Sequence, residues 1–374
     1  MEIKEVQTSG LTIDGADRSN IDTVSQMASE AIMEVIKKKV ENGELFVDQI
    51  EDYVAKLEER GAIRDAFLNL IDDVASDSVE TIESIMYEKV LEERSYTNEF
   101  LARQEQKWGK AFVASEALYL CILESTEHYE QYVCSTHLGE ENYTYHALKH
   151  IHGRALQMYS EIMCLVQNGF ADGAYARWRS LYELSIIASF IGKYGDLVAE
   201  TYINSVGTNG KNEWARKAPC FANKKPREKI TFKDLFENSE INESWNEEYK
   251  FTNLLVHGSA DGTFHRLGQY SNTPVLSVGR SDWGMSLPAI HAAMSLVLVT
   301  CQFFSVYTHG DSIAAVSTFN KWVSRIKAYY EDVEEHCFPK DPNSLPFDAQ
   351  FASTDCPFRM SGAGSSVEAV WVWG

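Results

Sequence analysis

Three side chains suited to handling a phosphate stand on one short stretch, YKFTNLLVHG, residues 249–258. Lys250, Asn253 and His257 fall at i, i+3 and i+7, so a helix places them on a single stripe. A histidine can move a proton near neutral pH, a lysine can neutralise phosphate charge, and an asparagine can orient both. A second set lies on DGAYARWRSLYELSIIASFI, residues 172–191. There Arg179 and Glu183 are four apart and share a helical face. By themselves they make an ion pair; beside His257, Arg179 supplies a second cation. A candidate catalytic site made of His257, Asn253, Lys250, Arg179 and Glu183 therefore depends on these two stretches meeting. That set works without a metal, and no cofactor is expected. The bland alternative is that His257-Gly258 simply ends a helix.

Metal chemistry has a separate set of candidates. His146 and His150 in HALKHIH share a helix face with His152 close by, and Glu124 and His128 make another pair four apart. Two histidines at that spacing can hold zinc only if a third ligand arrives from elsewhere. Helical di-metal sites use Glu-x-x-His, and this chain has Glu-x-x-x-His. The sequence holds no glycine-rich phosphate loop and no G-x-S-x-G nucleophile turn.

Composition bounds the partners. The 374 residues carry a formal net charge of -21, with 44% hydrophobic and 24% charged residues. A broad electrostatic grip on nucleic acid needs a basic face, which this balance opposes. One stretch runs against it. Residues 207–233 hold Lys211, Arg216, Lys217, Lys224, Lys225, Arg227, Lys229 and Lys233. RNA contact is expected through Lys224, Lys225, Arg227 and Lys229, unless the stretch is only a solvated connection. Trp214 and Phe221 sit among these bases, placed either to stack on single-stranded bases or to pin the loop to a core. The seven cysteines (Cys121, Cys134, Cys164, Cys220, Cys301, Cys337 and Cys356) are scattered and odd in number. That pattern fits reduced thiols and a cytoplasmic location. The N-terminus has neither a basic start nor an apolar run, so no signal peptide is expected.

The elements that must position these residues read as helices throughout. Residues 1–18 are rich in Gly, Ser, Thr and Asp and suggest a flexible leader. A helical N-terminal module is expected over 19–100, a helical-bundle core domain over 101–336, and an irregular tail over 337–374. In the module, apolar residues recur every three or four positions from Ile21, with a stop at Asn42-Gly43. A second helix is expected over 44–60 and a third over 63–75. A fourth is expected to be capped by Asp77 or Ser78, with a further break at Gly109. The helix from Tyr145 to Asn168 ends at Asn-Gly, and the short FADGA connection makes the next helix its antiparallel neighbour. Residues 259–286 read as a loop or small hairpin, and 312–336 as a final helix. Leu287 to Tyr307 is apolar and long enough to cross a bilayer. Pro288, His291, Ser295, Thr300 and Gln302 interrupt it, which predicts a buried core helix and no membrane span. The fold class is therefore all-α, a helical bundle with a small helical module before it and an irregular tail after it.

The run Arg179 to Glu183, R-S-L-Y-E, with the later V-H-G, Val256 to Gly258, resembles an uncharacterised family of bacterial helical proteins. It is also distantly similar to the HEPN superfamily of helical-bundle nucleases, whose motif is an arginine, a polar residue, about three others and a histidine. TNLLVH, residues 252–257, matches at Asn253 and His257 and departs at the arginine, where Thr252 stands. The resemblance spans roughly residues 140–310. It implies metal-independent RNA cleavage at a dimer interface, in phage defence or a toxin–antitoxin system, with Lys250 or Arg179 in the arginine's role. The alternative is a non-catalytic interaction or sensor protein of a defence or regulatory module, acting as a homo-oligomer or with a protein partner.

Overall fold

The computed structural model describes residues 23–208, 210–241, 249, 252, 260–264, 266–268 and 278–338. All regular structure among them is helical. The chain divides into two compact units, Met1–Thr97 and Asn98–Gly374.

The first unit holds α1 (Thr23–Glu41), α2 (Ile50–Glu59) and the beginning of α3 (Ala62–Thr136). α1 stops at Asn42-Gly43, where Gly43 has φ 74° and the Glu44 amide donates back to the Lys39 carbonyl at 2.9 Å. α2 begins later than the pattern suggested, because Val47–Gln49 forms a single 3-10 turn before it. Only Ile36 and Leu45 are buried among the described hydrophobic residues of this unit.

α3 corrects the expected helix breaks. Neither Asp77 nor Ser78 caps a new helix, because α3 runs unbroken through both. The hydroxyls of Ser76 and Ser78 donate to the carbonyls of Asp72 and Val74, four residues back, at 2.9 and 2.7 Å. Hydroxyls used this way leave the backbone ladder uninterrupted. Gly109 also lies inside the helix and is buried. The Glu105 carboxylate occupies the space beside it: a Cβ there would fall 2.7 Å from Glu105 Oε1.

The second unit is a bundle. α4 (Tyr143–Gln167), α5 (Ala171–Tyr194) and α9 (Ser286–Phe304) pack on one another, with α10 (Gly310–Cys337) against α9. The short α6 (Asp196–Asn204) and α7 (Phe232–Asn238) flank α5, and α8 (Ala260–Phe264) follows later in the chain. α4 starts where Asn142 Oδ1 accepts from the Tyr145 amide at 2.7 Å. It ends at Gly169, with φ 79°. No other residue fits there, since a Cβ would come within 2.8 Å of the Ser281 carbonyl and 2.7 Å of the Phe100 ring.

α9 is long and apolar enough to cross a membrane, yet 83% of its apolar window is buried inside the bundle. Its polar residues are the reason. The Ser295 hydroxyl accepts from Trp178 Nε1 at 2.9 Å, the Thr300 hydroxyl meets His152 Nε2 at 3.1 Å, and His291 Nδ1 meets the Tyr175 hydroxyl at 3.3 Å. Ser295, Thr300 and His291 each have a partner in the core, which is the condition for burying them. α3 joins the bundle through side chains: Tyr159 donates to the Ser115 carbonyl, Trp322 Nε1 to the Ala114 carbonyl, and Tyr129 to the Phe303 carbonyl.

Candidate functional site

α5 carries two adjoining stripes. Tyr175, Trp178 and Tyr182 are fully or almost fully buried and stack in sequence, with centroids 4.8 and 5.4 Å apart. Arg179 and Glu183 lie on the neighbouring, half-buried stripe, joined Nε to Oε1 at 3.3 Å. Tyr249, the first residue of YKFTNLLVHG, closes over both. Its hydroxyl donates to Glu183 Oε1 at 2.7 Å and accepts from Arg179 Nη2 at 3.2 Å. The guanidinium carbon stands 5.0 Å from the Tyr249 ring centroid, within cation–π range. Tyr182 and Phe232 flank the same ring, each with its centroid 5.5 Å away.

Burial, reinforced by the Glu183 carboxylate that accepts its proton, pushes the Tyr249 phenol up to about 12. Tyr249 is thus a neutral donor at physiological pH. Thr252 is fully buried, and its hydroxyl donates to the Tyr249 carbonyl at 2.6 Å. The arrangement holds one cation and one carboxylate around a neutral phenol. Lys250, Asn253 and His257 lie outside the described residues.

The basic loop is built differently from a stacking platform. Trp214 and Phe221 are both buried, Phe221 stacked on Phe190 and Trp214 edge-on to Phe190 and Tyr202. They pin the loop to α5 and α6. Lys224 pairs with Asp234 at 2.5 Å and donates to the Lys229 carbonyl at 3.4 Å. Burial works to raise the Asp234 carboxyl, but Lys224 and the Thr231 amide and hydroxyl outweigh it and hold it at about 2. Lys225, Arg227 and Lys229 are exposed.

Of the histidines, His152 is buried against Phe303, and burial lowers it to about 3. It cannot share a site with the exposed His146 and His150. Among the described residues no three His, Cys, Asp or Glu side chains converge as a metal site would require. The described cysteines are all free thiols.

Tyr249 is the site residue that residue chemistry alone passes over, since a tyrosine in an apolar segment reads as core. The signal available was its place at the head of the segment carrying His257.

These features define an all-α helical bundle with a polar cluster between α5 and the segment at residue 249. Residues 145–273 match a family described as "Family of unknown function (DUF5677)". The matched range contains Arg179, Glu183 and Tyr249, together with Lys250, Asn253 and His257. No curated protein and no solved structure matches the chain.

Proposed function

We propose that this protein is a HEPN-like, metal-independent RNA endonuclease acting as a homo-oligomer in a phage-defence or toxin–antitoxin setting. The observation that supports it is the hydrogen bonding of Tyr249 to both Arg179 and Glu183. It ties the helix bearing the arginine to the stretch on which Asn253 and His257 follow within eight residues. In this reading His257 takes the proton from the ribose 2′-hydroxyl as its oxygen attacks the adjacent phosphorus, and a proton is returned to the departing 5′-oxygen as the P–O5′ bond breaks, leaving a 2′,3′-cyclic phosphate and a 5′-hydroxyl. Asn253 orients the phosphate, and Lys250 and Arg179 neutralise it. Glu183 and Tyr249 position Arg179. The exposed Lys225, Arg227 and Lys229 hold the strand electrostatically, with Lys224 anchoring their loop.

The test is incubation of the purified protein with transfer RNA or total RNA in EDTA, beside His257→Ala. RNA cleaved by the native chain and spared by the variant is the expected result. Equal RNA integrity in the two samples overturns the proposal.

One observation favours the second reading, a non-catalytic interaction or sensor protein. Thr252 is sealed inside the fold with its hydroxyl on the Tyr249 carbonyl, and Arg179 is engaged by Glu183 and Tyr249. On that reading the three-way contact is a structural clasp, and native RNA stays intact in the same experiment.

A further inference from the structure

A cleft of about 560 Å³ opens within the second unit, away from the residues assigned above. That size accommodates a small organic ligand. One wall is α3, through Phe100, Arg103, Gln104 and Lys107, which fall at i, i+3, i+4 and i+7 on one stripe. The facing wall is Arg280, Ser281 and Asp282, with Cys337 at the end of α10. Three cations meet one carboxylate there, in a chain of net charge -21. Lys107 and Asp282 pair with each other. Arg103 stands exposed at the rim.

Arg280 is held in place before any ligand arrives. Its Nη1 donates to the Asn168 carbonyl at 2.7 Å and to Asn168 Oδ1 at 2.8 Å, and its guanidinium carbon lies 5.0 Å from the Phe170 ring centroid. Those bonds use a single nitrogen, so the rest of the planar fork is available for a bidentate oxyanion.

Gln104 ties the two walls together. Its side chain is almost completely buried, 2% exposed, and Nε2 donates to the Ser281 carbonyl at 3.2 Å. That bond fixes which way the amide points. Oε1 is then left buried with no hydrogen-bond partner among the described residues. That oxygen has no surface open to the cleft, so Gln104 holds the two walls together and leaves ligand contact to the cations.

We propose that this cleft binds a small phosphate ester. Arg280 and Arg103 take the phosphate, and the cleft around them takes the body of the ester. The site does not depend on RNA cleavage, and His257→Ala is expected to leave it unchanged.

Calorimetric titration of the full chain with ribose 5-phosphate, inorganic phosphate, ribose and a short single-stranded RNA tests this. Ribose 5-phosphate is expected to bind more tightly than inorganic phosphate, with no heat from ribose. Arg103→Glu, at an exposed rim position, should weaken both anions about tenfold or more with the ligand-free melting curve unchanged. No binding of either anion to the native chain overturns the proposal. So does binding that Arg103→Glu leaves intact, or binding of the RNA alone.

Discussion

The two units use the same helical period and reach opposite outcomes. In the first, Leu68, Val79, Ile82, Met86, Val90 and Leu91 of α3 are all exposed. In the second, Trp108, Leu118 and Ile122, on the same helix, are fully buried. An amphipathic period says that a helix has an apolar stripe; it does not say that the stripe is covered. Coverage in the second unit comes from large rings that reach across the gaps between helices. Trp108 stacks on Phe338 and tilts against Tyr330, and Tyr129 stacks on Phe304. The buried face there is also tied by hydroxyl-to-carbonyl bonds, such as Tyr159 to Ser115 and Tyr129 to Phe303. Stability should therefore reside very unevenly along the chain.

The strongest way to break that contrast is Trp178→Ala. The ring is fully buried, stacked between Tyr175 and Tyr182, and its Nε1 donates to Ser295. Truncation leaves a large cavity and an unpaired hydroxyl, a cost of about 3–5 kcal/mol. Urea denaturation followed by far-UV circular dichroism should show the transition of the second unit moving to markedly lower denaturant. A shift of under about 1 kcal/mol, the ordinary size of a single-residue effect, would mean that this core is not the close-packed one described.

Acid should sharpen the contrast next. His152 and His291 are buried with their imidazoles held neutral, each lowered by burial to about 3, and His291 further by the nearby Lys327 charge. In the unfolded chain each titrates near 6.5. Above that pH neither state takes up a proton at these positions, and their contribution to stability is complete. Below it the unfolded chain binds protons that the folded chain refuses, so stability falls as the pH drops from about 6.5 toward 3. The slope reaches about 1.4 kcal/mol per pH unit for each histidine. Melting curves from pH 7.5 to 5 should show the second unit losing stability. His152→Gln, which retains a hydrogen-bonding group for Thr300, should flatten part of that slope. A native profile flat to pH 5 would show that the two imidazoles accept protons in place.

How much of this was legible beforehand varies by residue for physical reasons. The polar interruptions of α9 marked a core helix correctly, because Ser295, Thr300 and His291 had to have partners. The breaks expected at Asp77 or Ser78 and at Gly109 were misplaced, because a residue such as Ser78 can cap a helix or bond back within one, and the sequence is the same in both cases. The meeting of α5 with the segment at 249 was foreseen as a requirement, but the residue that makes it, Tyr249, was not. Trp214 and Phe221 admitted two roles, and only packing against Phe190 chose the core. The cleft was invisible: Arg103 and Lys107 look like any solvated helix face until Arg280, far along the chain, is placed opposite them.

The smallest expected effect is the most direct check on the first unit. Val79 is 62% exposed on α3. Replacing it by alanine removes little buried surface, while alanine is the better helix former by up to about 0.7 kcal/mol. The two terms oppose each other, and with so little contact to lose the propensity term should win. Val79→Ala is therefore expected to leave the chain unchanged or slightly more stable, within about 0.5 kcal/mol, with helicity at 222 nm equal or greater. Ile82, 44% exposed and one turn further on, should behave alike. Conversely, a loss of about 1 kcal/mol or more at both positions has one physical meaning. It would show the stripe to be covered in solution, and the contrast between the two units would then be one of how each face is covered.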